Sequence, residues 1–234
     1  VVFPNLCTRN DIETLLGMRI RNLTYYQEAL LHKSAVKIYN VRQSNERLEF
    51  IGDSVLNFLI AKYLFEKYPN EDEGFMTKLR TRIVSGKCLS KLARIMGIQD
   101  HIRMNEKAMR QGWNNNARIL EDVYEALIGA IFLDLGIFYA NEFIMTQLET
   151  HIHEDDILTD TNYKDMLMRY TQTKGIELPL YVINNEHGPN HNKQFVVNVL
   201  LNGNVLGEGV AKNKKQAEQN AAKNALTSIG ELCV

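Results

Sequence analysis

NERLEFIGDSVLNFLIAKYLF, residues 45–65, is the stretch from which the rest of the chain is read. At about 100° per residue on an α-helix, Glu46, Glu49 and Asp53 fall at roughly 0°, 300° and 340°, so three carboxylates share one narrow face. Past Asp53 the run is apolar almost all round, apart from Ser54, Asn57 and Lys62, which predicts a helix buried in a domain interior, with Asn45 as its N-cap. Carboxylates at the mouth of such a helix are costly unless they protonate, pair with a cation or bind metal.

A partner stretch lies further on. ILEDVYEALIGAIFLD, residues 119–134, is equally apolar and holds Asp122 and Glu125 three residues apart, about 60° from each other on one face. Two such helices packed together would converge four carboxylates. All-oxygen donors without His or Cys favour a hard ion, Mg²⁺ with Mn²⁺ as a substitute, and Mg²⁺ beside phosphate oxygens is the setting of phosphoryl chemistry. The alternative is ordinary pairing of these carboxylates with Arg47 or Arg118. His32 reads as a structural histidine, and Glu121 as a residue facing solvent.

The 234 residues are 45% hydrophobic and 24% charged, ordinary for a globular chain of one or two domains. The apolar runs are too short and interrupted to span a bilayer, so no membrane partner is expected. Cys7, Cys88 and Cys233 are odd in number and widely spaced, which predicts free thiols in a reducing intracellular compartment and no zinc site. A net charge of −1 does not announce a nucleic-acid binder. It hides a local cluster, because four of the eight Lys and Arg in residues 161–234 lie between Lys212 and Lys223.

Periodicity predicts helices over Thr8–Leu16, Leu23–Ala35, Tyr139–Ile152 and, broken near Ser85-Gly86, residues 75–98. Residues 103–118 are polar enough to predict a loop. After an acidic connector the character changes. Tyr163–Lys174 reads as a helix, Pro179–Asn184, Gln194–Leu201 and Val205–Ala211 as strands, and Lys214–Ile229 as a helix, with Asn202-Gly203 a strong hairpin signal. The fold expected is therefore multidomain: an all-α domain over residues 1–152, a linker over 153–160, and an α+β domain of order α-β-β-β-α over 161–234.

Several of these motifs together resemble the ribonuclease III family. NERLEFIGDSVL looks like its signature, EDVYEALIGAIFLD like its second acidic motif, EGFMTKLRTRIVS like the intervening segment and QEALLHKSA like its early motif, with Leu31 where Thr is more usual. NYKDMLMRYTQTKG, LPLYVINNEHGPNHNKQFVVNVLLNG and GEGVAKNKKQAEQNAAKNAL together resemble the double-stranded-RNA-binding domain. The resemblance implies that Glu49, Asp53, Asp122 and Glu125 bind the metal, with Asp53 and Glu125 foremost in catalysis, and that Glu46 and Glu73 are accessory acids near the cut. It implies that Phe50 inserts into the partner subunit of a homodimer, although core packing is the simple reading of an aromatic there. The implied activity is Mg²⁺-dependent hydrolysis of both strands of double-stranded RNA by in-line attack of metal-activated water. Products would carry 5′-phosphate and 3′-hydroxyl ends with short 3′ overhangs, and no small-molecule cofactor is needed.

In the second domain the resemblance implies RNA contacts from Gln172, from His191 in the Gly188-Pro189-Asn190-His191 loop, and from Lys212, Lys214 and Lys215. Cations opening a helix are unfavourable against its dipole, which suits lysines that have phosphate to bind; a solvated helix face is the alternative. Departures are few. Glu121 stands where Ala is usual, Arg118 is the nearest basic residue where a lysine often precedes the second acidic motif, and Met168, Arg169, Ala211 and Asn213 replace common residues of the RNA-binding domain. A catalytically silent RNA-binding relative is the rival reading, and it predicts loss of one of the four carboxylates. None is missing.

Overall fold

The computed structural model describes residues 7–40, 43–153, 158, 162–187 and 193–232. The chain divides into two compact units, Val1–Leu158 and Thr159–Val234.

The first unit is helical. α1 (Arg9–Leu16) starts in a capping box, Thr8 accepting from the Asp11 amide while the Asp11 carboxylate accepts from Thr8, and ends at Gly17 in the left-handed region. α2 (Leu23–Ala29) is shorter than its apolar pattern predicts. The chain leaves the helix at Leu30, and the Arg103 amide donates to the Leu30 carbonyl while the His32 amide donates to the Arg103 carbonyl; Lys33–Ala35 then forms one 3₁₀ turn. Tertiary hydrogen bonds from a segment about seventy residues away have overridden helical periodicity here.

α3 (Glu46–Lys67) and α7 (Ala117–Leu135) form the centre and pack more extensively on each other than any other pair of elements. Between them run α4 (Glu73–Ile83), α5 (Gly86–Ile95) and α6 (Glu106–Arg110), and α8 (Ile137–His151) follows. The capping residues explain the breaks. Asp72 accepts from the Phe75 amide, Ser85 from Cys88 and Asn116 from Arg118 and Ile119. Asn45, expected as the cap of α3, has helical dihedrals and no capping hydrogen bond; its own amide instead donates to the Leu31 carbonyl. The expected loop at 103–118 contains α6, capped by Asn105, and a 3₁₀ turn at Trp113–Asn115.

The core is built around α7, on which Leu120, Val123, Tyr124 and Ala126 to Ile131 are all buried. Asp134 near its end accepts from the backbone amides of Arg21 and Asn22 and from the Tyr26 hydroxyl, which ties the entry of α2 to α7. Among the described residues no helix is long and apolar enough to cross a membrane, and Cys7 is a buried free thiol.

The second unit is an antiparallel sheet in the order β1 (Leu180–His187), β2 (Gln194–Leu201), β3 (Asn204–Ala211), with α9 (Tyr163–Lys174) before it and α10 (Lys214–Ser228) after it. Asn202 and Gly203 both have positive φ, 49° and 76°, the requirement of the tight hairpin their sequence predicts. Val197, Val199 and Leu201 alternate inward onto Leu167 and the alanines of α10, with Phe195 and Tyr181 partly buried against the same core. Gly209 allows close approach: a Cβ there would stand 2.2 Å from the Ala217 carbonyl oxygen.

Candidate functional site

Two glycines set the geometry of the acidic helices. A Cβ on Gly52 would meet the Glu125 carbonyl oxygen at 1.8 Å, and one on Gly129 would meet the Leu48 carbonyl oxygen at 2.2 Å. α3 and α7 therefore touch backbone to backbone where their carboxylates lie. In the sequence both stand as isolated glycines inside a helical pattern, which is a signal of close packing.

This contact brings Glu46, Glu49, Asp53, Asp122 and Glu125 onto one cavity of about 1000 Å³. Glu125 lies deepest, only 8% exposed. Burial, and after it the carboxylates of Asp53, Glu121, Glu49 and Asp122, pushes Glu125 up to about 8. Burial likewise raises Glu49, with Asp122 adding to it, and raises Asp122, where Arg118 works in the opposite direction. Mutually raised acids mark a site with too much negative charge for its own cations.

The carboxylates share the cavity without closing into a ligand cluster: among the described residues no three His, Cys, Asp or Glu side chains are grouped to hold an ion. Local partners hold them apart. Asp53 accepts from Asn57 Nδ2 at 2.7 Å, and Glu46 accepts from Ser44 Oγ at 2.9 Å and from Lys33 Nζ at 3.4 Å. Asp122 Oδ1 stands 3.0 Å from Arg118 Nε. That ion pair is badly directed, and the buried Oδ1 has no hydrogen-bond donor among the described residues. An orphaned buried oxygen beside raised, all-oxygen acids fits a hard divalent cation.

Three further residues belong to this cavity and were not expected in it. Glu121 turns inward, its side chain 17% exposed, where solvent exposure was predicted; its carboxylate occupies the space above Gly86, and Arg118 Nη1 donates to it at 3.5 Å. His32 and Lys33 form part of the wall. His32 Nδ1 accepts from the Ser34 amide at 3.2 Å, so Nδ1 carries no proton in that arrangement, and burial lowers the histidine's pKa. Their break from α2 was invisible in the sequence.

Glu73 lies elsewhere. It accepts from Thr77 Oγ1 at 2.7 Å at the start of α4 and lines a separate recess of about 230 Å³ with Phe65 and Arg80. Phe50 is 77% exposed, which removes the core-packing reading, and it borders both the acidic cavity and a second recess of about 560 Å³ lined by Tyr25, Arg47, Ile51 and Leu133.

In the second unit Gln172 is exposed on α9, and Lys212, Lys214 and Lys215 are exposed at and before the start of α10, where Asn213 is the N-cap. Lys214 lies 5.5 Å from the Phe195 ring centroid and 3.8 Å from Glu186, which also pairs with Lys193. Arg169 is engaged by Asp165 at 2.9 Å. His191 and the rest of its loop lie outside the described residues.

Residues 22–152 match the family model described as Ribonuclease-III-like, and residues 163–229 match the double-stranded RNA binding motif. A protein of Paramecium bursaria Chlorella virus 1 is 44% identical over 95% of this chain and 80% of its own. Ribonuclease 3 of Chlorobium chlorochromatii is 38% identical over 93% of this chain and 89% of its own. The nuclease domain of ribonuclease III from Campylobacter jejuni, described with structural flexibility in a region involved in dimer formation, superposes with a TM-score of 0.57 at 35% identity. It covers 60% of this chain and 98% of that domain.

Proposed function

The chain belongs to the ribonuclease III family, with a nuclease domain followed by a double-stranded RNA binding motif, and from this we propose that it is a Mg²⁺-dependent, homodimeric endonuclease that hydrolyses both strands of double-stranded RNA. The observation that carries the reading is the set of carboxylates gathered on one cavity by the glycine contact of α3 and α7. In this reading Glu49, Asp53, Asp122 and Glu125 hold the metal. Mg²⁺, or Mn²⁺ in its place, supplies Lewis acidity toward a phosphate oxygen and lowers the pKa of water.

The chain's own residues do the rest. Asn57 fixes one oxygen of Asp53, so that carboxylate is oriented before substrate arrives. Glu125, at the bottom of the cavity, takes the position of an acid that gives up its proton on loading. Glu46, held by Ser44 and Lys33, sits at the rim where the backbone of an RNA strand would pass. Glu73 serves as an accessory acid outside the cavity. Gln172, His191, Lys212, Lys214 and Lys215 bind the duplex through its phosphates and 2′-hydroxyls. In-line displacement leaves 5′-phosphate and 3′-hydroxyl ends, and a dimer with one site per strand leaves short 3′ overhangs.

The test is cleavage of a long end-labelled duplex RNA in Mg²⁺. Glu125→Gln is expected to slow cutting by on the order of a hundredfold or more, while gel-shift affinity for the duplex stays within about twofold. Wild-type cutting by that variant would remove Glu125 from the site, and a wild-type protein that binds duplex without cutting it would establish the silent RNA-binding reading.

A further inference from the structure

Glu121 in the second acidic motif and Arg118 just before it, two departures from the family pattern, meet in the cavity. Arg118 Nε lies 3.0 Å from Asp122 and its Nη1 lies 3.5 Å from Glu121, so one guanidinium spans two carboxylates on successive positions of α7. The two carboxylates differ in their seats. Asp122 points among the other acids and leaves Oδ1 without a directed donor. Glu121 is seated against the N-terminal turn of α5, in space that exists only because residue 86 is glycine: a Cβ there would lie 2.4 Å from Glu121 Oε2. The N-terminal end of a helix is a favourable place for a carboxylate, which suits Glu121 as the second seat for the guanidinium. Arg118 itself is 70% exposed, free to turn between the two.

We propose that Arg118 is a resident counter-ion for the acidic cavity, holding Asp122 when no metal is bound and passing to Glu121 when a divalent cation enters, with Glu121 the positioning residue that keeps the guanidinium at the cavity mouth for the RNA phosphate. The inference rests on the reading of Asp122 as a cation ligand. Its physical basis is competition: a guanidinium held against Asp122 opposes a divalent cation at the same carboxylate, at a cost set by the repulsion between the two cations. A second carboxylate within reach removes that penalty. The same guanidinium then presents its free N–H groups outward, in a geometry that suits a phosphate.

Mn²⁺ binding to the full-length protein, followed by electron paramagnetic resonance without RNA, reads this independently of activity. Arg118→Met is expected to bind Mn²⁺ about three- to tenfold more tightly than wild type, and Arg118→Lys, which keeps the charge, to stay close to wild type. Glu121→Ala and Glu121→Gln are expected to weaken binding several-fold, and that loss is expected to shrink to less than about twofold when Arg118→Met is also present. Unchanged or weaker binding by Arg118→Met overturns the proposal. So does an equal loss from Glu121→Ala in both backgrounds, which is the result if Glu121 acts only as one more negative charge. Thermal melts confirm that each variant is folded. If wild type binds no Mn²⁺, or Asp122→Asn binds it unchanged, the ligand assignment fails instead of the hand-over.

Discussion

Among the carboxylates of the cavity Glu125 is the most buried, and its proton couples the site to folding. Its ordinary value of 4.5 applies in the unfolded chain, while burial and four neighbouring carboxylates push it up to about 8 in the fold. Between those values the folded protein holds a proton that the unfolded chain has released, so this contribution to stability is complete below about 4.5 and is lost as pH rises through about 8. The metal-free protein is therefore expected to melt at lower temperature at pH 8.5 than at pH 5.5, and Glu125→Gln to flatten that fall. Parallel melting curves for variant and wild type across this range would mean that the Glu125 proton carries none of it. At this scale much was legible beforehand. Spacing alone put Glu49 with Asp53 and Asp122 with Glu125, because residues three or four apart share a helix face. Arg118 was read as a possible pairing partner, but its bridge to Glu121 depends on where the space above Gly86 lies, and no local pattern encodes that.

At the scale of elements the glycine contact of α3 and α7 is what makes two acidic pairs into one site. Gly52→Ala would place a methyl group 1.8 Å from the Glu125 carbonyl oxygen, a clash with backbone that no side-chain rotation relieves. The expected cost is about 3 kcal/mol or more, at or above the upper end for overpacked cores, measured by urea unfolding, with cleavage falling as the helices separate. A Gly52→Ala protein of wild-type stability and activity would mean that the two backbones do not meet there. Helix ends followed rules visible in the sequence where a cap is local, as at Thr8 and in the hairpin at Asn202-Gly203. They departed from those rules where distant chain intervened. Leu23–Ala35 is not one helix because Arg103 takes the Leu30 carbonyl, and Asn45, whose backbone amide donates to Leu31, has helical dihedrals in place of the extended ones of a cap.

For the whole molecule, the proposed dimer and the proposed RNA contacts each make a prediction about one surface. Phe50 leaves most of a large ring in water, at odds with the roughly 1.5–3 kcal/mol gained by burying such a side chain, and it stands beside a recess with an apolar lining from Ile51 and Leu133. In analytical ultracentrifugation the wild type is expected to sediment as the proposed dimer and Phe50→Asp as a monomer; a monomeric wild type would remove the proposed dimer, and a variant that stays dimeric would remove Phe50 from its contact. Lys214 and Lys215 open α10 against its dipole. Replacing either with Ala is expected to reduce the slope of log affinity for duplex RNA against log salt by roughly 1, as for one lost phosphate contact. Fluorescence anisotropy across a salt series measures it, and an unchanged slope would return these lysines to a solvated helix face.

The sequence by itself determined the two kinds of domain, the facing of the acidic residues on each helix and the strand order with its hairpin. These follow from periodicity, capping residues and turn chemistry, all of which act within a few residues of the chain. Only the tertiary structure decided that α3 and α7 meet at Gly52 and Gly129, that Glu121 turns inward over Gly86, that Lys33 reaches Glu46, and that Glu73 lines a different recess. Each of these is fixed by the space left between elements far apart in sequence. Such space is a property of packing and has no periodic trace along the chain.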